Sequence, residues 1–310
     1  MPDIVVSEFM DADAVDWLSA RSDLRYDPAL VDDRPALVEA VSSCRALIVR
    51  NRTQVRDDLV AALASAMVVG RLGVGLDNID VEACETRGIE VVPATGANAI
   101  GVAEYVVGAL MVLLRGAYGA TGSVLAGDWP RSDLIGRELN GKLLGLVGFG
   151  GIARLVAVRA RALGMPIQAF DPNIEKGDPV WREYGVAPVD WDALVGRSDA
   201  ISLHVPLVTA TRHLFDAQTL AAMKQGAVIV NTARGGVIDD VALADALRRR
   251  HLGGAALDVF ETEPVPADNV FSDVPNLLAT PHIAGVTEES NARVSWMIAR
   301  EVASRLGLRP

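Results

Sequence analysis

A chain of 310 residues, half of them hydrophobic, has room for about two domains with substantial cores. Its formal net charge of −11 excludes nucleic acid and anionic membrane as partners, so an acidic ligand must be met by a local group of arginines. The longest apolar run, residues 105–114, falls short of the ~20 residues that span a bilayer, and the N-terminus has no basic stretch leading into a long apolar one; neither a membrane span nor a secretory signal is expected.

Short apolar runs alternate with helical periodicity along the whole chain, the pattern of a parallel sheet covered on both faces. Strands are predicted over 3–6, 46–49, 68–71 and 90–92, with helices between them. The two cysteines, Cys44 and Cys84, fall in apolar settings without metal-ligand spacing; they read as buried free thiols of a reducing cytoplasm, and no metal site is expected. Pro93-Ala-Thr-Gly-Ala-Asn98 breaks the pattern before a long helix over 100–115, apolar enough for a buried or subunit-interface position. A second series starts at Leu143, with strands over 167–170, 200–204, 228–231, 254–259 and 277–279.

Lys142-Leu-Leu-Gly-Leu-Val-Gly-Phe-Gly-Gly-Ile-Ala-Arg154 reads as a buried strand, a glycine turn and the start of a helix. Gly148, Gly150 and Ala153 occupy the three small positions of a dinucleotide-binding fingerprint: one for the turn, one for close approach of a pyrophosphate, one for packing of helix on strand. The helix start offers free N–H groups to the phosphates. Asp171 ends the next predicted strand, near the spacing of roughly 20 residues expected of a carboxylate that holds the adenosine ribose. That carboxylate would repel a 2′-phosphate and no arginine follows at once, so the cofactor expected is NAD rather than NADP. The motif comes late in the chain. Either an independent domain precedes a nucleotide domain, or the nucleotide domain is inserted into a first domain that the C-terminal helix completes; periodicity does not choose between these.

Three later segments each bring a polar residue to the C-terminal end of a strand, the edge where open α/β sheets bind ligands. They carry Arg234 before two glycines, Asp258 with Glu263 in the turn beyond, and His282 after a proline. A histidine near neutral pH can take the proton of an alcohol during hydride transfer, and a carboxylate partner fixes its tautomer and stabilises the imidazolium. A guanidinium can clamp a substrate carboxylate and polarise the adjacent oxygen. His204 lies at a strand end as a shaper of the cofactor cleft, while His213 and His251 look like surface or helix-end residues.

In Gly73-Val-Gly-Leu-Asp-Asn-Ile-Asp80, the fingerprint, His204-Val-Pro-Leu207, Asn231-Thr-Ala-Arg-Gly-Gly236, Asp258-Val-Phe-Glu-Thr-Glu-Pro264 and Pro281-His282, the chain resembles the D-isomer-specific 2-hydroxyacid dehydrogenase family over essentially its whole length. The resemblance implies an α/β chain in which a Rossmann-type NAD-binding domain, residues 98–283, is inserted into a smaller flavodoxin-like substrate domain, residues 1–97 and 284–310. It implies that Arg234 binds substrate, Glu263 supports the histidine and His282 is the acid/base. Asp258 would hold the nicotinamide carboxamide and Asp171 the ribose. Gly151 and Ile152 would offer N–H groups to the pyrophosphate, and Val205, Thr232, Ala233 and Gly285 would line the cofactor cleft. A homodimer through the nucleotide domain is expected. Ala153 stands for the third glycine and Gly151 for a longer polar residue, which removes a side-chain contact to phosphate. The chain ends soon after its last helix, so the regulatory domain of longer phosphoglycerate dehydrogenases is not expected.

The substrate pocket is expected where the first domain faces the cofactor. The backbone N–H groups of Val74, Gly75 and Leu76 suit a carboxylate there, and Arg50, Arg52 and Arg71 lie at strand ends nearby. Likeness to the phosphoglycerate dehydrogenase branch favours Arg50 for a distal anion, which implies a dianionic hydroxy acid. Ile4-Val-Val-Ser-Glu-Phe-Met-Asp11, Val49-Arg-Asn-Arg-Thr53 and Ala126-Gly-Asp-Trp-Pro-Arg131 are similar to the branch acting on (S)-3-sulfolactate and 3-sulfopyruvate. D-3-phosphoglycerate and hydroxypyruvate or glyoxylate are the alternative substrates. A formate dehydrogenase is disfavoured, because that branch has glutamine where Glu263 stands. The non-enzymatic alternative is an NAD-sensing corepressor, which would bind the cofactor without turnover.

Overall fold

The computed structural model describes residues 2–309, so the outermost residues of the expected first domain, 1 and 310, lie outside it. The chain divides into two compact units, Met1–Asn98 with Val286–Pro310 and Ala99–Gly285.

The first unit is built on a five-stranded sheet, β1 (Ile4–Val6), β2 (Leu24–Tyr26), β3 (Ala46–Val49), β4 (Val68–Arg71) and β5 (Glu90–Pro93), all parallel and in the flavodoxin-like order β2-β1-β3-β4-β5. Alternation along a strand sends successive side chains to opposite faces, and here both faces are buried. Ile4, Val6, Ile48 and Val68 pack with Leu18, Ile298 and Val302 on one side, while Val5, Leu47, Val49 and Val69 pack with Leu37, Val41 and Leu59 on the other. The C-terminal helix Glu288–Arg305 completes this unit. It starts in a capping box in which Ser290 N–H donates to Thr287 Oγ1 at 3.1 Å and Thr287 N–H to Ser290 Oγ at 2.8 Å. Gly70 lets the helix close on β4, since a Cβ there would stand 2.6 Å from Ile298 Cγ2.

The second unit holds seven parallel strands: β6 (Leu144–Val147), β7 (Ile167–Phe170), β8 (Ala187–Pro188), β9 (Ala200–Leu203), β10 (Val228–Asn231), β11 (Gly254–Leu257) and β12 (Leu277–Ala279). Their order, β12-β11-β10-β9-β6-β7-β8, reverses direction between β6 and β9, the switch point of a doubly wound Rossmann sheet. The helices Ala99–Arg115 and Gly151–Ala162 cover one face, where Val106, Leu110, Ala153 and Val156 meet Leu144, Leu146 and Val230. No single helix among the described residues is long and apolar enough to cross a membrane.

Two strands have no counterpart in the sequence reading. β2 and β8 are short edge strands with exposed or half-buried residues, so neither carries an apolar run. β9 and β11 also end earlier than their apolar runs suggest. Beyond Leu203 and Leu257 the chain leaves the ladder for the loops that carry the site.

Candidate active site

The fingerprint loop leaves β6 at the switch point. Gly148 has φ 83°, open to glycine at little cost, and a Cβ there would lie 2.6 Å from the His204 carbonyl that follows β9. Gly150 and Gly151 face open space, and the N–H groups of Gly150, Gly151 and Ile152 find no acceptor among the described residues. That cradle of unpaired amides fits a pyrophosphate. Ala153 is wholly buried against the strand, which explains why a small residue stands there. Asp171 accepts from Phe149 N–H at 2.8 Å and from Asn173 N–H at 2.9 Å, so the expected ribose ligand also ties the glycine loop to β7. Val205 is half-buried on the loop after β9. His204 pairs through Nε2 with Ser202 Oγ at 3.0 Å, and desolvation pushes its pKa down to about 4.

The loop after β10 is shaped by Asn231, a residue the sequence reading gave no role. Its side chain accepts from Ala233 N–H at 3.0 Å and donates to the Arg234 carbonyl at 2.9 Å, folding a tight turn at Thr232 and Ala233. Thr232 Oγ1 is buried there without a protein partner, a polar atom suited to a bound cofactor. Gly235 then presses against the neighbouring loop, where a Cβ would stand 1.7 Å from the Phe260 carbonyl oxygen. Glycine at this position lets the Arg234 loop and the Glu263 turn meet.

Glu263 closes that turn by accepting Phe260 N–H at 3.0 Å through Oε1, and its Oε2 meets His282 Nδ1 at 2.8 Å. Burial disfavours the charged carboxylate, but the bonds from His282 and Phe260 and the charges of His282 and Arg234 outweigh it, so its pKa lies below the ordinary value. With Nδ1 so held, His282 Nε2 has no partner among the described residues and is the nitrogen left for a substrate. Asp258, nearly fully buried, accepts from Thr280 Oγ1 at 2.6 Å and from the N–H groups of Ile283 and Ala284 at 2.7 and 2.8 Å. It anchors the histidine loop. Its Oδ2 has a single donor and keeps acceptor capacity for the carboxamide expected there. Gly285 ends this loop and the second unit.

In the first unit the buried carboxylate of Glu8 accepts the N–H groups of Arg50, Arg52 and Thr53 at 2.8, 3.1 and 2.9 Å. The Asn78 amide spans the Arg50 and Thr53 carbonyls, and together they make the loop after β3 rigid. Arg50 Nη2 donates to Asn291 at 2.8 Å, with its guanidinium over the Phe9 ring; burial draws its pKa down against the opposing charge of Glu8. Arg52 turns instead to an exposed ion pair with Asp32, and Arg71 folds over Gly73. The amides of Val74, Gly75 and Leu76 donate to nothing among the described residues, leaving an open row of N–H groups. Neither Glu8 nor Asn291 was singled out in the sequence, where an isolated acid or amide carries no pattern.

Residues 107–284 match the family described as D-isomer specific 2-hydroxyacid dehydrogenase, NAD binding domain. The chain is 53% identical over 309 residues to the (S)-sulfolactate dehydrogenase of Chromohalobacter salexigens, covering 100% of both. It is 40% identical to the D-3-phosphoglycerate dehydrogenase of Methanocaldococcus jannaschii, with 97% of this chain matched to 57% of that longer enzyme. Among solved structures it is similar to an NAD-dependent formate dehydrogenase from Staphylococcus aureus in complex with NAD, with a TM-score of 0.84, 29% identity and coverage of 98% and 95% of the two chains.

Proposed function

The chain belongs to the D-isomer-specific 2-hydroxyacid dehydrogenase family and is thereby an NAD-dependent oxidoreductase; from that premise we propose that its substrate pair is (S)-3-sulfolactate and 3-sulfopyruvate, with Arg234, Glu263 and His282 as the reacting machinery. The observation that carries the chemistry is the 2.8 Å pair of Glu263 with His282 Nδ1 beside the charge of Arg234. NAD, when bound, would supply the acceptor for the hydride of C2 in the hydroxy acid, and its reduced form the donor to the oxo acid. His282 Nε2 takes the hydroxyl proton as hydride leaves, and gives it back in reduction. Glu263 stabilises the imidazolium so formed, and Arg234 holds the substrate carboxylate while polarising the C2 oxygen. The amides at Gly150, Gly151 and Ile152, with Asp171, would hold the dinucleotide, and Thr232, Ala233, Val205, Asp258 and Gly285 would line its nicotinamide half.

The substrate class is supported by Arg50, which suits a second anion on the substrate, while the open amides of Val74, Gly75 and Leu76 suit its carboxylate. Full-length similarity to a sulfolactate dehydrogenase supports a sulfonate. A second reading, D-3-phosphoglycerate, offers an equivalent anion and is supported by the similarity to a phosphoglycerate dehydrogenase. We also propose a homodimer formed through the second unit, since Leu125, Trp129 and Ile135 are 83%, 78% and 83% exposed on one segment of it. The two buried free cysteines support a cytoplasmic setting.

The test is NADH oxidation with 3-sulfopyruvate, 3-phosphohydroxypyruvate, hydroxypyruvate, glyoxylate and pyruvate side by side. A clear preference for sulfopyruvate is expected, and a preference for phosphohydroxypyruvate would replace the first reading by the second. His282→Ala should lower turnover by about 10²–10⁴ while NAD still binds. Cofactor binding without turnover of any acid would remove the catalytic role.

A further inference from the structure

Glu261 stands two positions before Glu263 and outside both hydrophobic clusters of the second unit. Its Oε1 meets His213 Nε2 at 3.0 Å and accepts the N–H of Asp240 at 3.2 Å. Asp240 Oδ2 in turn accepts the N–H of Glu261 at 3.3 Å. His213, expected from sequence to be an ordinary surface residue, has its backbone in the left-handed region at φ 48° and donates its N–H to the Gly236 carbonyl at 2.8 Å. Three chain segments are thereby tied together: the one entering Phe215, the one running from Arg234 to the helix Asp240–Arg248, and the turn that carries Glu263.

We infer that Glu261, held by His213 and Asp240, is a positioning residue that sets the turn carrying Glu263 so that its carboxylate meets His282. The inference rests on the reading of Glu263 and His282 as a proton-transfer pair. Glu263 depends on the turn twice, since Oε1 is spent on Phe260 N–H within it and only Oε2 reaches the histidine. A side chain that sits inside its own turn moves with that turn. The Glu261 side chain pins the turn from outside through His213 and the Asp240 N–H, beside the bond that its own N–H gives to the Asp240 carboxylate. The charged groups facing Glu261 are His213 on one side and Asp239 and Asp240 on the other, with Glu263, Arg234 and His282 beyond the turn. Asp240 titrates at about 6, chiefly because of its burial, with the charges of Glu261 and Asp239 adding to the push and the Glu261 N–H and His213 opposing it.

The experiment is the pH profile of kcat/KM for reduction of the preferred 2-oxo acid, a direction that needs His282 protonated. A slack Glu263 stabilises the imidazolium less, so the alkaline limb moves to lower pH. Glu261→Ala should show that shift together with an about tenfold loss of kcat, with KM for NADH unchanged. Glu261→Gln keeps an oxygen acceptor at the same reach and should restore the limb and most of the rate. His213→Asn retains a residue that tolerates left-handed backbone and should move the limb in the same direction, carrying the test if the alanine variant does not fold. A limb unmoved in Glu261→Ala and in His213→Asn overturns the inference, whatever happens to kcat or melting temperature. Failure of the underlying reading looks different, because His282→Ala then keeps its rate or the unmodified protein reduces no 2-oxo acid, and the inference falls with it.

Discussion

Gly235→Ala tests whether the active-site loops depend on backbone apposition. The added Cβ would lie 1.7 Å from the Phe260 carbonyl oxygen, 2.2 Å from its carbon and 2.9 Å from Glu261 N, whereas real Cβ contacts stop at 3.0 Å. All three atoms belong to main chain, so no side chain can swing aside and the loops must part by roughly an ångström or more. Arg234 is adjacent to the new methyl and Glu263 lies in the turn it strikes. A displacement of about 1 Å in reacting groups costs about 10²-fold in rate, and overpacking of this kind about 1–3 kcal/mol in stability. The assay is kcat for NADH oxidation with saturating 2-oxo acid, with NADH binding followed separately by fluorescence. A loss of about 10² in kcat at near-normal NADH affinity is expected. Gly196→Ala provides the control, because its nearest neighbour would be 3.9 Å away in the helix Trp191–Arg197. If Gly235→Ala turned over within about threefold of the parent, the apposition would have no bearing on catalysis.

Asp171→Asn keeps an oxygen for the N–H of Phe149 but removes the charge that repels a 2′-phosphate; the ratio of kcat/KM for NADPH to that for NADH should rise about tenfold, and an unchanged ratio would exclude the ribose role. Arg50→Ala should weaken a dianionic 2-oxo acid by about 2–5 kcal/mol in kcat/KM while sparing pyruvate, which has no distal anion; equal losses on both would place the arginine elsewhere. Stability in acid should show two opposed slopes. His204 has its pKa depressed from 6.5 to about 4, so the unfolded chain takes up a proton first and stability is lost as pH falls between those values. Asp240 has its pKa raised from 3.8 to about 6, so the folded chain takes up a proton first and stability is gained as pH falls through the same window. Chemical denaturation from pH 7 to 4 should therefore show His204→Gln gaining relative to the parent and Asp240→Asn losing, and parallel curves for all three would refute both shifts.

The sequence made legible whatever rests on pattern. Short continuous apolar runs, buried on both faces, marked β1, β3, β4, β6 and β10, and the glycines of the fingerprint marked a turn that the His204 carbonyl makes obligatory. It left unread the residues that act through individual polar contacts to loops. Glu8 caps a loop more than 40 positions away, Asn231 folds its own following turn, and Glu261 braces Glu263 through a histidine 48 positions earlier. None of these has a periodic or spaced signature, because a hydrogen bond to main chain constrains where the partner lies in space and not which residue stands beside it. The edge strands β2 and β8 went unread for a related reason: half-solvated strands need few apolar residues.

Asp258 shows how a strand end organises a loop at a distance from the reacting atoms. His282 has φ 56°, a left-handed conformation that costs a residue with a Cβ about 1–2 kcal/mol, so some contact must hold it there. The contact is Asp258, whose carbonyl accepts His282 N–H at 2.8 Å while its carboxylate binds Thr280, Ile283 and Ala284 on either side of the histidine. Thr280 is itself fixed by the Tyr105 hydroxyl at 2.6 Å, which ties the loop to the helix Ala99–Arg115. Asp258→Asn replaces one acceptor oxygen by an N–H group, leaving Ile283 or Ala284 without its partner at a cost of about 1–3 kcal/mol. If the carboxylate acts as anchor, this variant should lose melting temperature and kcat while NADH affinity holds. Should it act chiefly on the carboxamide, NADH affinity falls and melting temperature without cofactor stays put. The three donors already on this carboxylate favour the first result, since removing an acceptor that the loop itself uses disturbs His282 whether or not cofactor is bound.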